Sequence, residues 1–497
     1  PTDASAFTYF DFDGVSCGFC HRSVNPVLEP NSPPEDGPIL AALQKAGLLP
    51  HSPGNAKYVV DPTDVRRGPL DDVPENWHGV PIIVSPFHNE GAFCGTCHDV
   101  SNPVYTRQAN GTYTLNNLDS PHPTGNSYDM MVEQRTYSEW LNSAFASGGV
   151  QMKERFGGDH PTGIMESCQD CHMPKHSGGL CMFWPDPPFF VRPDVPEHSF
   201  IGANTWVQGA VLDQYGEECG ITPESLTLTQ QRTQNMLRNA SDMQLQQLGG
   251  NLKVRVINYS GHKLPTGYPE GRRAWVNVKF YNASQALIAE RGAYDFGTAT
   301  LTAGDTKVYE ARFGVDNHGS QVTGLPVGHS FHLVLNNVVL KDNRIPPIGF
   351  SNSAFQAVQA APVNYTYADG QYWDDTLFAI PAGAVEAVVT LYYQTTSREY
   401  IEFLRDANVT NGAGLNAYNR WVARGKSAPV DMDMLSLDLA ASRPGDTNAD
   451  GVVDADDLVN VILTWGSCVP PNLCSGDVTG NGVIDVDDLI LVILNWG

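Results

Sequence analysis

The pentapeptide Cys-x-x-Cys-His occurs three times in the first 172 residues, as Cys17-Gly-Phe-Cys20-His21, Cys94-Gly-Thr-Cys97-His98 and Cys168-Gln-Asp-Cys171-His172. The pattern constrains the chain more than any other feature. Two thiols three residues apart reach the two vinyl groups on one edge of a porphyrin, and the following histidine can coordinate the iron from the proximal side; this is the attachment signature of c-type haem. A thioredoxin-like site needs one Cys-x-x-Cys and no histidine, and a zinc site pairs two such knuckles at shorter range. Spacing of about 75 residues between complete motifs fits neither. The sequence therefore predicts three covalent haems with His21, His98 and His172 as proximal ligands, and an extracytoplasmic compartment, where such haems are attached.

Each iron has a sixth position, and eleven further histidines are available for it. Three lie in rigid Gly/Pro-rich loops able to hold a ligand at fixed reach. His88 sits in Ser85-Pro-Phe-His88 before the second motif, His198 in Pro196-Glu-His-Ser-Phe-Ile-Gly202 after the third, and His262 in Gly261-His-Lys-Leu-Pro-Thr-Gly267. His122 and His160, in two His-Pro-Thr-Gly strings, rank second. Met173 and Met182 offer His/Met ligation, ranked below bis-His because histidine is abundant.

Several strings resemble extracellular multihaem cytochromes of the cytochrome c554/hydroxylamine-oxidoreductase-like assemblage: GVSCGFCHRSVNP (14–26), SPFHNEGAFCGTCHDVSNPV (85–104), YSEWLNSAFA (137–146), CQDCHMP (168–174), HSFIGAN (198–204) and GHKLPTGYPEGRRAWVNV (261–278). The resemblance spans roughly residues 10–430. It implies bis-His haems stacked closely enough to pass electrons, then a β domain, and it supports His88, His198 and His262 as distal ligands. Two departures stand out. The family's Glu-Trp-x-x-Ser-x-His segment supplies a distal histidine where this chain has Phe145. Relatives also carry motifs upstream of the first one here, so either those haems are lost or Pro1 is not the start of the gene product, and surplus ligands could serve a neighbouring subunit. With no leader pattern opening the chain, Pro1 is read as a mature N-terminus or a truncation.

The fold class expected is α+β multidomain. Residues 1–205 read as an irregular haem-packed domain, with helices at Ile39–Lys45 and Tyr128–Phe145. A helical connector covers 206–249, with a helix from Thr222 to Gln247. Period-two alternation follows in Leu252, Val254 and Val256, in Val276, Val278 and Phe280, and along Phe331–Leu340 and Val385–Tyr393, so 250–440 reads as an antiparallel β-sandwich-like domain. Arg272 and Arg273 could pair with a haem propionate or form an exposed charge pair.

The tail, 445–497, repeats itself at an offset of 31 residues. The ligand positions of an EF-hand-type loop are filled by Asp446, Asn448, Asp450, Val452, Asp454 and Asp457, then by Asp477, Thr479, Asn481, Val483, Asp485 and Asp488, with Gly451 and Gly482 at the sharp turn. Each loop enters a helix, DDLVNVILTWG or DDLILVILNWG, with Leu458, Ile462 and Trp465 expected on one face. The paired loop-helix repeat with Asp at position 12 looks like a type I dockerin, which implies two calcium ions and a cohesin-like partner. Nine aspartates and no lysine or arginine in this segment mean that calcium binding and folding should be coupled. The four other cysteines suggest disulfides Cys181–Cys219 and Cys468–Cys474, or free buried thiols.

The chain of 497 residues has a net charge of −25, which disfavours nucleic acid, and no stretch approaches the length of a membrane span. The function these features support is electron transfer outside the cytoplasm (extracellular or cell-surface, periplasm second) with redox proteins or copies of itself as partners, as a subunit of a surface assembly or conductive filament. The alternative is an oxidoreductase with one open haem acting on a small nitrogen or sulfur compound.

Overall fold

A computed structural model describes residues 15–50, 54–73, 79–117, 119–179, 191–302, 304–439, 443–448 and 450–497. His51, His78, Cys181 and Met182 lie outside these residues, and with them the Cys181–Cys219 pairing. Helix and sheet are mixed, and among the described residues many small sheets form and none closes into a barrel.

The centre of the molecule is a pair of antiparallel sheets. Its strands are β1 (Ser241–Leu248), β2 (Asn251–Asn258), β3 (Arg273–Tyr281), β4 (Leu287–Arg291), β5 (Lys307–Tyr309), β6 (Trp373–Ala379), β7 (Glu386–Gln394) and β8 (Val430–Asp438). One sheet runs β1-β2-β6 and the other β4-β3-β7-β8, with β5 sharing the β4 edge of β3. Alternate residues face inward, as the two-residue period of a strand requires. Leu252, Val254 and Val256 of β2 share one apolar core with Val276, Val278 and Phe280 of β3 and Ala387, Val389 and Leu391 of β7.

Before residue 200 the elements are short. Among the described residues there, the longest helix is Asp36–Ala46, which contains the expected Ile39–Lys45, and no strand exceeds Val191–Pro196. The expected helix Tyr128–Phe145 does not form. Met131–Gln134 is instead a strand paired with Val100–Asn102, followed by a one-turn helix, Thr136–Leu141. Tertiary packing overrides local propensity here: Met131 and Val132 join Tyr105, Tyr113 and Phe313 in a second core. Arg135, 1% exposed, spends its guanidinium on the carbonyls of Val100 and Val358 and on the Gln359 side chain.

The connector is likewise half right. Pro223–Asn239 is a helix with a Thr222/Ser225 capping box, but Ser241–Leu248 is β1, paired with β2 along its whole length. Its Met243 and Leu245 alternate with glutamines whose helix propensity masks the strand period. Phe331–Leu340 breaks into a 3-10 turn, Leu333–Leu335, and the strand Val338–Asp342.

In the tail the helices are Ala455–Leu463 and Val486–Leu494, and the Cys468–Cys474 disulfide is present. The buried face differs from that expected. Val461 and Val492 fill the small core with Val453 and Ile484, while Ile462 and Trp465 are about half exposed. The tail is fastened to the first sheet. Gln244 bonds Asn472 and Leu473, Gln246 bonds the Cys474 carbonyl, and Arg255 donates to the Pro471 carbonyl. Among the described residues, no helix is long and apolar enough to cross a membrane.

Leu252 is fully buried in the shared core. Leu252→Ala should cost about 2–5 kcal/mol by transfer plus cavity terms, whereas Leu287→Ala, at a half-exposed edge position, should stay within about 0.5 kcal/mol; urea denaturation of the two variants measures both.

Candidate functional site

Each Cys-x-x-Cys-His motif is wound into a single helical turn: Cys17–Cys20, Gly91–Gly95 leading into Cys97 and His98, and Cys168–His172. Residues i, i+3 and i+4 share a helix face, so each turn presents both thiols and the imidazole on one side. The turns are built by local capping. Ser16 receives the Phe19 amide, and Ser167 and Asp170 form a capping box at the third motif. Asp170 also pairs with His160 Nε2 at 3.3 Å.

The three turns, far apart in sequence, meet in space. The Cys94 and Cys168 thiols lie close enough to shift each other's ionisation, and Cys20 lies close enough to Cys97 and Cys94 to feel them electrostatically. Gln169 Nε2 donates to the carbonyls of His88 and Glu90, which ties the third motif to the approach to the second. Burial pushes the Cys171 thiol up to about 12. Burial raises Cys20 and Cys97 as well, whereas the neighbouring Cys168 lowers Cys94.

The imidazoles are oriented through one nitrogen each. His21 Nδ1 donates to the Arg67 carbonyl at 2.6 Å, and His172 Nδ1 donates to the Ile201 carbonyl. His198 Nδ1 donates to Pro196 and His262 Nδ1 to Lys263, both at 3.1 Å. Such bonds fix tautomer and ring direction and leave Nε2 for a metal. His172 faces His262 with ring centroids 6.3 Å apart and planes 19° from parallel. His21 faces His198 at 6.1 Å and 32°. Two imidazoles bound to one metal at about 2.0–2.1 Å each have centroids roughly 6–6.5 Å apart, so both spacings match an iron held between two nitrogens. Burial lowers the pKa of His172 and His198 and brings His262 down to about 4. The rings are therefore neutral, the ligating form.

The other candidates differ. His88 stacks on His21 at 5.8 Å and 8°, but its Nε2 donates to the Cys20 carbonyl at 2.9 Å and its Nδ1 meets Ser85 Oγ, so both nitrogens are engaged. His122 and His160 close their His-Pro-Thr-Gly turns, with Nδ1 accepting from the amides of Gly125 and Gly163. The second nitrogen of His122 meets Thr106. Among the described residues, no imidazole faces His98. Phe145, where the resembled family has a histidine, is a core residue beside Gly261. Met173 is the C-cap of the third motif's turn.

The sequence carries no signal for the groups that aim these imidazoles. They include Arg67, whose fully buried guanidinium bridges Asp36 and Asp61, and the backbone carbonyls. Only the Ser167-x-x-Asp170 cap was legible in advance.

Arg273 is buried on β3, where it bonds Gln394 and pairs with Glu399, so it is no exposed charge. Arg272 donates to the Thr266 carbonyl. Between them and Arg312 lies a cavity of about 230 Å³ that also contains Glu270.

In the first acidic loop, Asp457 is fully buried and accepts the Thr447 and Asp454 amides, while Asp446 Oδ1 is buried without a hydrogen bond. In the second loop, Asp477 Oδ1 accepts the Gly480 and Asn481 amides. The orphaned Asp446 oxygen and the oxygen-only donor set fit a hard cation such as calcium at the first loop. Among the described residues, no group of three or more His, Cys, Asp or Glu side chains is gathered around a metal position.

No family model matches the chain, and no curated protein matches it. Among solved structures, the crystal structure of a penta-heme cytochrome c552 from Thermochromatium tepidum matches at 14% identity and a TM-score of 0.41, over 86% of this chain and 77% of that one. A likeness at that level carries no argument, and the functional reading rests on the residues.

Burial, with Glu133 nearby, pushes the Glu270 carboxyl up to about 8. The folded state then binds more protons than the unfolded one between about pH 4.5 and 8, so this group's contribution makes stability fall as pH rises across that window. Glu270→Gln should be more stable than wild type at pH 9, with the gap closing toward pH 4, as thermal melts along a pH series would reveal.

Proposed function

We propose that the chain carries three covalently attached c-type haems and relays single electrons outside the cytoplasm. The observation that carries the reading is the convergence of the three motifs together with the facing pairs His172/His262 and His21/His198, each with its Nε2 uncommitted. Cys17 and Cys20, Cys94 and Cys97, and Cys168 and Cys171 would form the thioethers. His21, His98 and His172 would bind from the proximal side. Bound haem would supply an iron that takes up and releases one electron. At the two centres with facing imidazoles no coordination position would be open, which favours relay over catalysis there. His88, hydrogen-bonded to the first motif and stacked on His21, is the second choice opposite His21.

The relay reading extends to partners. Electrons must arrive from and leave to redox proteins or further copies of this chain, and a surface assembly or filament would bring copies within reach. Calcium is the cation we propose for the tail, with the first loop the better supported, and the dockerin-like repeat makes a cohesin-like protein its proposed partner. An extracellular or cell-surface location accords with covalent haem and the disulfide; the periplasm is second.

One observation favours the alternative. Phe145 fills an apolar core where the resembled family has a distal histidine, so a centre left without that ligand is the place for an open iron and for chemistry on a small nitrogen or sulfur compound.

The test is haem quantification with EPR on the full chain. Three haems per chain and low-spin signals from the first and third centres are expected, and a high-spin signal from one centre would move the reading to the oxidoreductase. His262→Ala should convert one low-spin haem to high-spin; His198→Ala should do the same to another, whereas His88→Ala should not. Absence of covalent haem would sink the reading. Separately, EDTA should lower the melting temperature of the tail, and Asp446→Ala should abolish the calcium-dependent part of that shift at the first loop.

A further inference from the structure

Next to the third motif lie four buried ions that its hydrogen bonds do not require. Glu139 and Lys263 are fully buried, and Asp342 and Arg344 nearly so. Lys263 Nζ meets Asp342 Oδ2 at 2.8 Å, Arg344 reaches the same oxygen at 2.6 Å, and Arg344 lies 3.3 Å from Glu139 Oε1. Two positive and two negative charges thus balance without water. Such a network is weak evidence for stability, because well-packed apolar replacements often serve as well. Its burial beside His262 points to another role.

The geometry supplies one. Glu139 Oε2 accepts the Lys263 amide at 3.1 Å and the Thr266 hydroxyl at 2.7 Å, which pins the loop that carries His262. The carbonyl of the same Lys263 receives His262 Nδ1 at 3.1 Å. One carboxylate therefore holds the residue whose carbonyl aims the imidazole, and Glu139 and Arg344 both act on His262 electrostatically. Glu139 is itself held firmly. Its one-turn helix lays Tyr137 and Trp140 on Gly95 and Gly91 of the second motif, where an added Cβ would come within 2.5 Å of either ring.

We infer that Glu139 is a positioning residue for His262, and that the balanced network of Glu139, Arg344, Asp342 and Lys263 sets the electrostatic potential at the centre between His172 and His262. The inference rests on the haem reading above. Removing a negative charge beside a centre that gains positive charge on oxidation favours the reduced form, so Glu139→Gln should raise that centre's midpoint potential. Loss of the Thr266 hydrogen bond alone should change ring orientation more than charge.

The experiment uses the full chain. Haem is counted first, then each centre is followed by spectroelectrochemical titration and ferric EPR in wild type, Glu139→Gln, Glu139→Asp and Thr266→Val. The expected result is three haems throughout. One potential of the three shifts upward in Glu139→Gln, the Asp variant recovers most of it, and one EPR signal changes its g-spread in Thr266→Val. Three haems with all potentials and signals as in wild type would overturn the inference and leave the haem reading intact. A wild-type chain without covalent haem would overturn both. If Glu139→Gln fails to fold, Thr266→Val decides: an unchanged EPR spectrum overturns the positioning role.

Discussion

Buried side chains that bond to main-chain carbonyls are the interaction on which the rest of this molecule depends. Among the described residues before 200, the strands pair only in twos and the helices are short, so side chains complete the pairing that buried peptide groups require. Arg135 takes up carbonyls from four separate stretches of chain, at Val100, Ser127, Gln134 and Val358. Gln169 does the same for His88 and Glu90, and Arg22 for Asp61. Each acts as a pin through a loop, and the imidazoles are aimed by the same device in reverse, a ring N–H spent on a carbonyl. The ligand directions follow from where the pinned loops lie.

The central sheets provide the fixed frame for the pins. The third Cys-x-x-Cys-His turn belongs to the loop-rich part, but the imidazole facing it comes from the loop between β2 and β3. That loop is locked by Asn258, whose amide donates to the carbonyls of His262, Ile345 and Pro346. A packed apolar core is rigid against small displacements, so the precision of the His172/His262 pair comes from β-sheet packing.

Legibility in the sequence divides along the same line. Covalent chemistry and strict periods were readable: the three motifs, the inward alternation of β2, β3 and β7, the repeated acidic loops, and the Cys468–Cys474 bridge. Segments decided by distant partners were not. Met131–Gln134 became a strand because Val100–Asn102 lies beside it, and Ser241–Leu248 because β2 does. Ile462 and Trp465 have helical spacing with Leu458 but turn outward, since the small core of the tail is filled by Val461, Val492, Val453 and Ile484. His122 and His160 looked like ligands in tight loops; their nitrogens close those loops instead. The pairing of His172 with His262 joins positions about ninety residues apart, a separation that no local pattern encodes.

That separation has a consequence for how the molecule is made. The loop of His262 is closed by the mutual hydrogen bonds of Leu264 and Ile345, so the facing of His172 and His262 needs residues 172, 262 and 345 together. Contacts this remote form late and slowly. During synthesis, Cys168 and Cys171 emerge long before the residues that will enclose them. On the haem reading proposed above, this leaves an interval in which an attachment enzyme would reach thiols that the finished fold buries against the second motif. The topology would then work as a timer, with modification first and closure waiting for the arrival of the β-sheets.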